Sequence, residues 1–185
     1  MEHPHNTEQD LHDLDDLQIK VAPVVLQVAG LRFHYPGRAL FANWSVSIFP
    51  GVTLVRGGDG CGKTTLLRLL AGQLPPDAGQ LQINGIRLTD QAQVYRQQVF
   101  WAEPRSDAFD QVTPLDYFER QRSRYAGFDG GVLGKCVDGL TLAPQMNKPL
   151  YMLSTGSKRK VWLAAAFASG AAVTLLDQPF AALDK

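Results

Sequence analysis

Residues 57–65, GGDGCGKTT, constrain this chain more than any other stretch of its 185 residues. The run fits G-x-x-x-x-G-K-[ST], and its flanks decide how it is read. VTLVRG ahead of it reads as a short buried strand, and TTLLRLLAG as a helix with a glycine stop. Glycines between a strand and a helix let the backbone curl so that its N–H groups face inward. The helix then aims the positive end of its dipole at the same spot. Such a loop is a seat for an anion.

The residue types point to a nucleoside triphosphate. Gly57, Gly58, Asp59, Gly60, Cys61 and Gly62 present backbone to phosphate oxygens, Lys63 neutralises the β- and γ-phosphates, Thr64 offers a hydroxyl to Mg²⁺, and Thr65 closes the motif. Cys61 reads most simply as a small loop residue. A redox role stays open, because a helix N-terminus favours the reactive thiolate.

Other segments supply the frame. VVLQVAGLRFHY alternates apolar and polar residues as a strand does, and ANWSVSIF repeats the pattern after a PGR turn, which predicts an antiparallel pair. LPPDAG reads as a turn, LQINGIRL as short strands about Gly85, and VFWAE as a further strand. Residues 105–150 lean helical around DYFERQRSRYAGF, residues 158–169 form an alanine-rich helix, and AAVTLLD reads as a buried strand. Helices alternating with apolar strands imply an α/β sheet.

Length and a hydrophobic content of 45% suit one domain with a substantial core. The zero net charge hides two unlike parts: residues 1–20 carry six acids and one base, leaving 17 bases against 12 acids in the remainder. Residues 1–22 are expected to be an acidic disordered tail, with no rigid element to hold His3, His5 and His12 around a metal. Two cysteines give no disulfide framework and suit a reducing, cytoplasmic setting. The start is acidic rather than a secretory signal, and the longest nearly apolar run, residues 161–176, is short of the roughly 20 residues that span a bilayer.

Asp177 follows TLL at the carboxyl end of an expected strand, where open α/β sheets place ligand-binding groups, and a carboxylate there would hold Mg²⁺. With the phosphate loop, this aspartate makes residues 24–185 resemble the ATP-binding subunit of ABC transporters. RFHYPG, GGDGCGKTT, LPPDAGQLQINGIRL, VFWAEP, LSTGSKRK and LLDQPFAALD occur in the order of that family's segments. The resemblance implies a P-loop NTPase fold of the ABC cassette type. Its parts would be a mainly parallel core sheet, an antiparallel β subdomain and a helical subdomain over about 105–165, with the C-terminal part missing because the chain stops just after the D-loop. It also implies ATP and Mg²⁺ as ligands, a homo- or heterodimer of ATP-binding subunits, transmembrane transporter subunits as partners, and no nucleic acid.

Site residues implied by the resemblance are specific. Tyr35 stands where an aromatic ring stacks on adenine, although a hairpin tyrosine would look the same. LSTGS stands at the LSGGQ signature, keeping Ser154 and Gly156 for trans contact with ATP, while Thr155 and Ser157 depart from it; a plain helix cap at Ser154 accounts for the residues equally. Ala181 to Asp184 resemble the D-loop. Glu103 falls at the Q-loop glutamine, a further approach to Mg²⁺, and Gln178 falls at the catalytic glutamate.

An amide cannot accept the attacking water's proton, and a general base contributes about 10²–10⁴ in rate, so hydrolysis is expected to be weakened. The switch histidine has no counterpart, His34 being the last in the chain. The expected function is an ATP-binding subunit driving a membrane partner from the inner face of the membrane. TTLLRLLAGQLPPDAG most resembles the small subunits serving haem export in cytochrome c maturation. Two alternatives remain: a non-hydrolysing, nucleotide-dependent regulatory or degenerate subunit, and a soluble ABC ATPase acting on nucleic acid or ribosomes.

Overall fold

A computed structural model describes residues 22–102 and 107–181. The chain opens with the expected hairpin, β1 (Leu26–Tyr35) and β2 (Arg38–Ile48), paired antiparallel from Leu26↔Ile48 to Tyr35↔Arg38 across the Pro36-Gly37 turn. β1 buries Leu26 and Val28, then Leu31 and Phe33, so the inward phase slips by one residue at Gly30 (φ +63°). A bulge absorbs the slip and keeps one face apolar. β3 (Ala78–Ile83) pairs with the other side of β1, and β4 (Ile86–Arg87) pairs with β3, giving the sheet order β2-β1-β3-β4.

Against this sheet lies α1 (Lys63–Leu70), burying Leu66, Leu67, Leu69 and Leu70. α2 (Ala92–Gln97) adds Tyr95, whose hydroxyl donates to the Leu70 carbonyl at 2.8 Å. β5 (Val99–Trp101) is buried at all three positions. Successive strand residues face opposite ways, so Val99 and Trp101 join the core under α1 while Phe100 enters a second core. That second core is built by α3 (Pro114–Arg124), which contributes Tyr117 and Phe118, and α5 (Thr155–Ala168), which contributes Val161, Ala164 and Ala165. α4 (Gly130–Gly139) packs on α5 from outside and has no fully buried residue.

Local chemistry starts these helices. Thr113 caps α3, its hydroxyl accepting from the Asp116 N–H at 3.1 Å with Pro114 in the first turn. Asp129 caps α4, accepting from Gly131 N–H at 2.7 Å. β6 (Val173–Leu175) pairs in parallel with β5, from Val99↔Val173 to Trp101↔Leu175. Thr174 of this strand is exposed, so the expected buried strand is covered on one side only.

VTLVRG departs from its expected place. Residues 52–57 form no strand, Val52 is fully exposed and Leu54 is 74% exposed. An apolar, β-branched run favours a strand only where a neighbour accepts the ladder hydrogen bonds, and none of the described strands pairs with this segment. Among the described residues the parallel sheet is therefore the pair β5–β6, and the antiparallel sheet is the larger one.

Candidate functional site

The phosphate loop occupies residues 57–62 and runs directly into α1. Gly60 and Gly62 take left-handed backbone, at φ +71° and +99°, and Gly62 is the residue that caps α1 without a side chain. A Cβ there would meet Leu40 Cδ1 at 3.2 Å. Gly57 is required for a different reason: a Cβ on it would lie 2.5 Å from Cys61 Sγ. The two glycines thus serve a curled backbone and a tight crossing respectively.

The donors of the loop converge. Lys63 Nζ donates to the Gly57 carbonyl at 2.9 Å and the Gly58 carbonyl at 2.8 Å, and the Cys61 N–H reaches the same Gly58 oxygen at 3.4 Å. An ammonium and a backbone N–H sharing one oxygen make the environment a phosphate oxygen would find. The donor set therefore fits a phosphate group, with the loop's own carbonyls engaging Lys63.

Thr64, the second residue of α1, donates from its hydroxyl to Asp177 Oδ2 at 2.6 Å. These two side chains are 113 positions apart in sequence, and β6 is what carries Asp177 to the start of α1. Their two oxygens, one neutral and one carboxylate, are of the hard type that suits Mg²⁺. Thr65 turns inward and is buried, and its hydroxyl lies 3.4 Å from Tyr35 OH. Tyr35 is 40% exposed, and its ring stands perpendicular to that of Phe33 with centroids 5.0 Å apart.

The remaining expected residues sit as follows. Ser154 caps α5, its hydroxyl accepting from the Ser157 N–H at 3.1 Å and lying 3.1 Å from the Ser157 hydroxyl, so its hydrogen bonds are local to the start of the helix. Gly156 is in the first turn of the same helix. Gln178, next to Asp177, is exposed and takes left-handed backbone at φ +46°. Beside Asp177 lies a small cleft lined by Arg159 and Trp162 of α5 together with Leu176 and Pro179. Glu103 lies outside the described residues, as do residues 182–184 of the expected D-loop and the acidic stretch before residue 22.

Two residues of the site were not anticipated. Arg38 donates from Nη2 to the Gly60 carbonyl at 2.8 Å, and Leu40 packs on Gly62, so one edge of β2 backs the loop. The signal available in the sequence was the two-residue hairpin turn, which sets Arg38 directly opposite Tyr35.

A sequence profile described as "ABC transporter" matches residues 41–181, spanning both the phosphate loop and Asp177. The chain belongs to the ABC transporter family. Within it, the chain is similar to the "Cytochrome c biogenesis ATP-binding export protein CcmA" of Pseudomonas savastanoi pv. phaseolicola, at 34% identity over 89% of this chain and 78% of that protein. It is also similar to the protein of the same name from Escherichia coli O157:H7, at 31% identity over 86% of this chain and 76% of that protein. Among solved structures, an ATP-binding subunit of an ABC transporter superposes with a TM-score of 0.72 at 22% identity, covering 86% of this chain and 68% of that one. CbiO1 of Clostridium perfringens, part of an ABC transporter complex, gives 0.64 at 21% identity, covering 87% and 68%. The fold is that of an ABC ATP-binding cassette, and the family is one of ATP-hydrolysing enzymes.

Proposed function

We propose that this ABC protein binds Mg-ATP at the loop over residues 57–65 and uses it to drive a membrane-embedded partner in cytochrome c biogenesis. The observation that carries the reading is the 2.6 Å bond between Thr64 and Asp177, which joins the phosphate loop to the end of β6. Lys63 and the Cys61 N–H would hold the terminal phosphates, Tyr35 would carry the adenine, and Thr64 and Asp177 would hold Mg²⁺, with Glu103 a further group on the metal side. Mg²⁺, when bound, would offset charge developing on the phosphates. Ser154 and Gly156 at the N-terminus of α5 would meet the nucleotide of a second ATP-binding subunit.

Gln178 supports slow turnover, because an amide orients water but takes no proton from it. This residue also favours the second reading, a regulatory or degenerate subunit that holds ATP without cleaving it. Exposed apolar side chains at Leu115, Tyr151 and Met152 support docking to a partner. Backbone bonds from Tyr151 N–H to Asp110 O at 2.9 Å and from Leu150 N–H to Val112 O at 2.9 Å bring the two segments side by side. Among the described residues no helix is long and apolar enough to cross a membrane, and location at the inner membrane face would come through that partner.

Isothermal titration with Mg-ATP tests the proposal. Wild-type protein is expected to bind and Lys63→Ala to lose at least about 10²-fold in affinity, since two charge-assisted contacts of about 1.5 kcal/mol each go with the ammonium. Its stability should change by less than about 1 kcal/mol, because water can reach the exposed carbonyls that Lys63 leaves. Equal binding by both proteins would overturn the assignment.

A further inference from the structure

We infer that Arg38 is a positioning residue of the phosphate loop, holding the Gly60 carbonyl so that the Cys61 N–H faces the phosphate seat. The inference rests on the ATP-binding reading of that loop and adds a residue to it.

The geometry follows from one peptide plane. In a trans peptide the carbonyl and the next N–H point to opposite sides. Arg38 Nη2 takes the Gly60 carbonyl at 2.8 Å from the β2 side. The Cys61 N–H must then point away from β2, and it does so, toward the Gly58 oxygen at 3.4 Å that Lys63 Nζ also contacts at 2.8 Å. Gly60 sits at φ +71° with no side chain near enough to lock it, since the closest atom to an added Cβ is that same guanidinium at 4.0 Å. Without Arg38 this peptide keeps only the long 3.4 Å bond from the Cys61 N–H, and glycine's backbone freedom lets it flip. A flip would turn a carbonyl oxygen toward the phosphate in place of a donor.

The backbone that carries Arg38 is held by strand pairing. Arg38 opens β2 and pairs in register with Tyr35, whose hydroxyl is 3.4 Å from Thr65 Oγ1. Two residues on, Leu40 packs on Gly62. The hairpin thus touches the loop and α1 at Gly60, Gly62 and Thr65, and of the three contacts the Arg38 bond is the one that sets the direction of a donor. A guanidinium suits the task because its planar fork loses little freedom on bonding.

The test separates this role from a structural one and from direct contact with adenosine. Binding of Mg-ATP and of inorganic tripolyphosphate is measured by calorimetry for wild type, Arg38→Ala, Arg38→Lys and Tyr35→Ala, and the Cys61 amide resonance is followed by NMR in ligand-free protein. Arg38→Ala is expected to weaken both ligands by about tenfold, the loss of one charge-assisted bond, and to shift the Cys61 amide. Arg38→Lys should restore much of both, and Tyr35→Ala should weaken Mg-ATP alone. Loss of Mg-ATP affinity with tripolyphosphate unchanged would place Arg38 on the adenosine and overturn the inference. An unmoved Cys61 resonance would overturn it as well. Should wild type bind neither ligand, the ATP reading fails, and the ligand-free resonance still decides whether Arg38 sets the peptide.

Discussion

Gly62→Ala is the substitution whose outcome the structure specifies most closely. Gly62 caps α1 at φ +99° and ψ +15°, outside the region an L-residue with a Cβ normally occupies. Left-handed backbone costs a non-glycine residue about 1–2 kcal/mol, and φ +99° lies beyond the left-handed minimum, so the upper end applies. The new methyl would also meet Leu40 Cδ1 at 3.2 Å and Cδ2 at 3.5 Å, tighter than ordinary contact. Leu40 is half-buried at the end of a flexible side chain and can move, so this adds no more than about 1 kcal/mol. The expected loss is about 2–3 kcal/mol in urea unfolding at unchanged slope. In a Leu40→Ala background the same substitution should cost about 2 kcal/mol, leaving a coupling of up to about 1 kcal/mol between the two sites. A loss under about 0.5 kcal/mol in the wild-type background would refute the left-handed cap, and with it the direction of the first N–H groups of α1.

Further outcomes follow from the same geometry. Gly57→Ala should weaken Mg-ATP binding, because its Cβ would lie 2.5 Å from Cys61 Sγ, and Gly57→Ala with Cys61→Ala should recover most of the affinity in calorimetry; no recovery would show that the thiol is not the obstacle. Gln178→Glu supplies a proton acceptor and should raise steady-state ATP hydrolysis by about 10². Unchanged turnover would mean that Gln178 is not what limits the rate. Burial raises the phenol pKa of Tyr95, Tyr117 and Tyr125 above the ordinary value. The unfolded chain therefore ionises first, so the stability these neutral phenols contribute is present below about pH 10 and falls as pH rises beyond it. Urea midpoints compared at pH 9 and pH 11 should drop, and a flat profile would contradict the burial.

Much of the fold was legible because its signals are local. The hairpin declared itself by alternation either side of a Pro-Gly turn, α1 by its leucines after the loop, α5 by its alanines, and β6 by the apolar run before Asp177. VTLVRG departs for the opposite reason: its pattern is that of a strand, but a strand is a relation between two segments, and no described strand pairs with it. The one-residue slip at Gly30 was equally hidden, since it is fixed by pairing with β2 and β3.

At the site, the sequence by itself determined the residue types and order of the 57–65 run, which the structure sets as a curled loop leading into α1. Its glycines, lysine and threonine are neighbours along the backbone, so their chemistry travels with the chain. Only the tertiary structure decided which distant groups join them. It brought Asp177 to 2.6 Å from Thr64, set Arg38 on the Gly60 carbonyl and Leu40 against Gly62. Covalent sequence fixes which donors and acceptors neighbour one another along the backbone, whereas hydrogen bonds across 113 or 22 positions depend on how the sheets and helices pack.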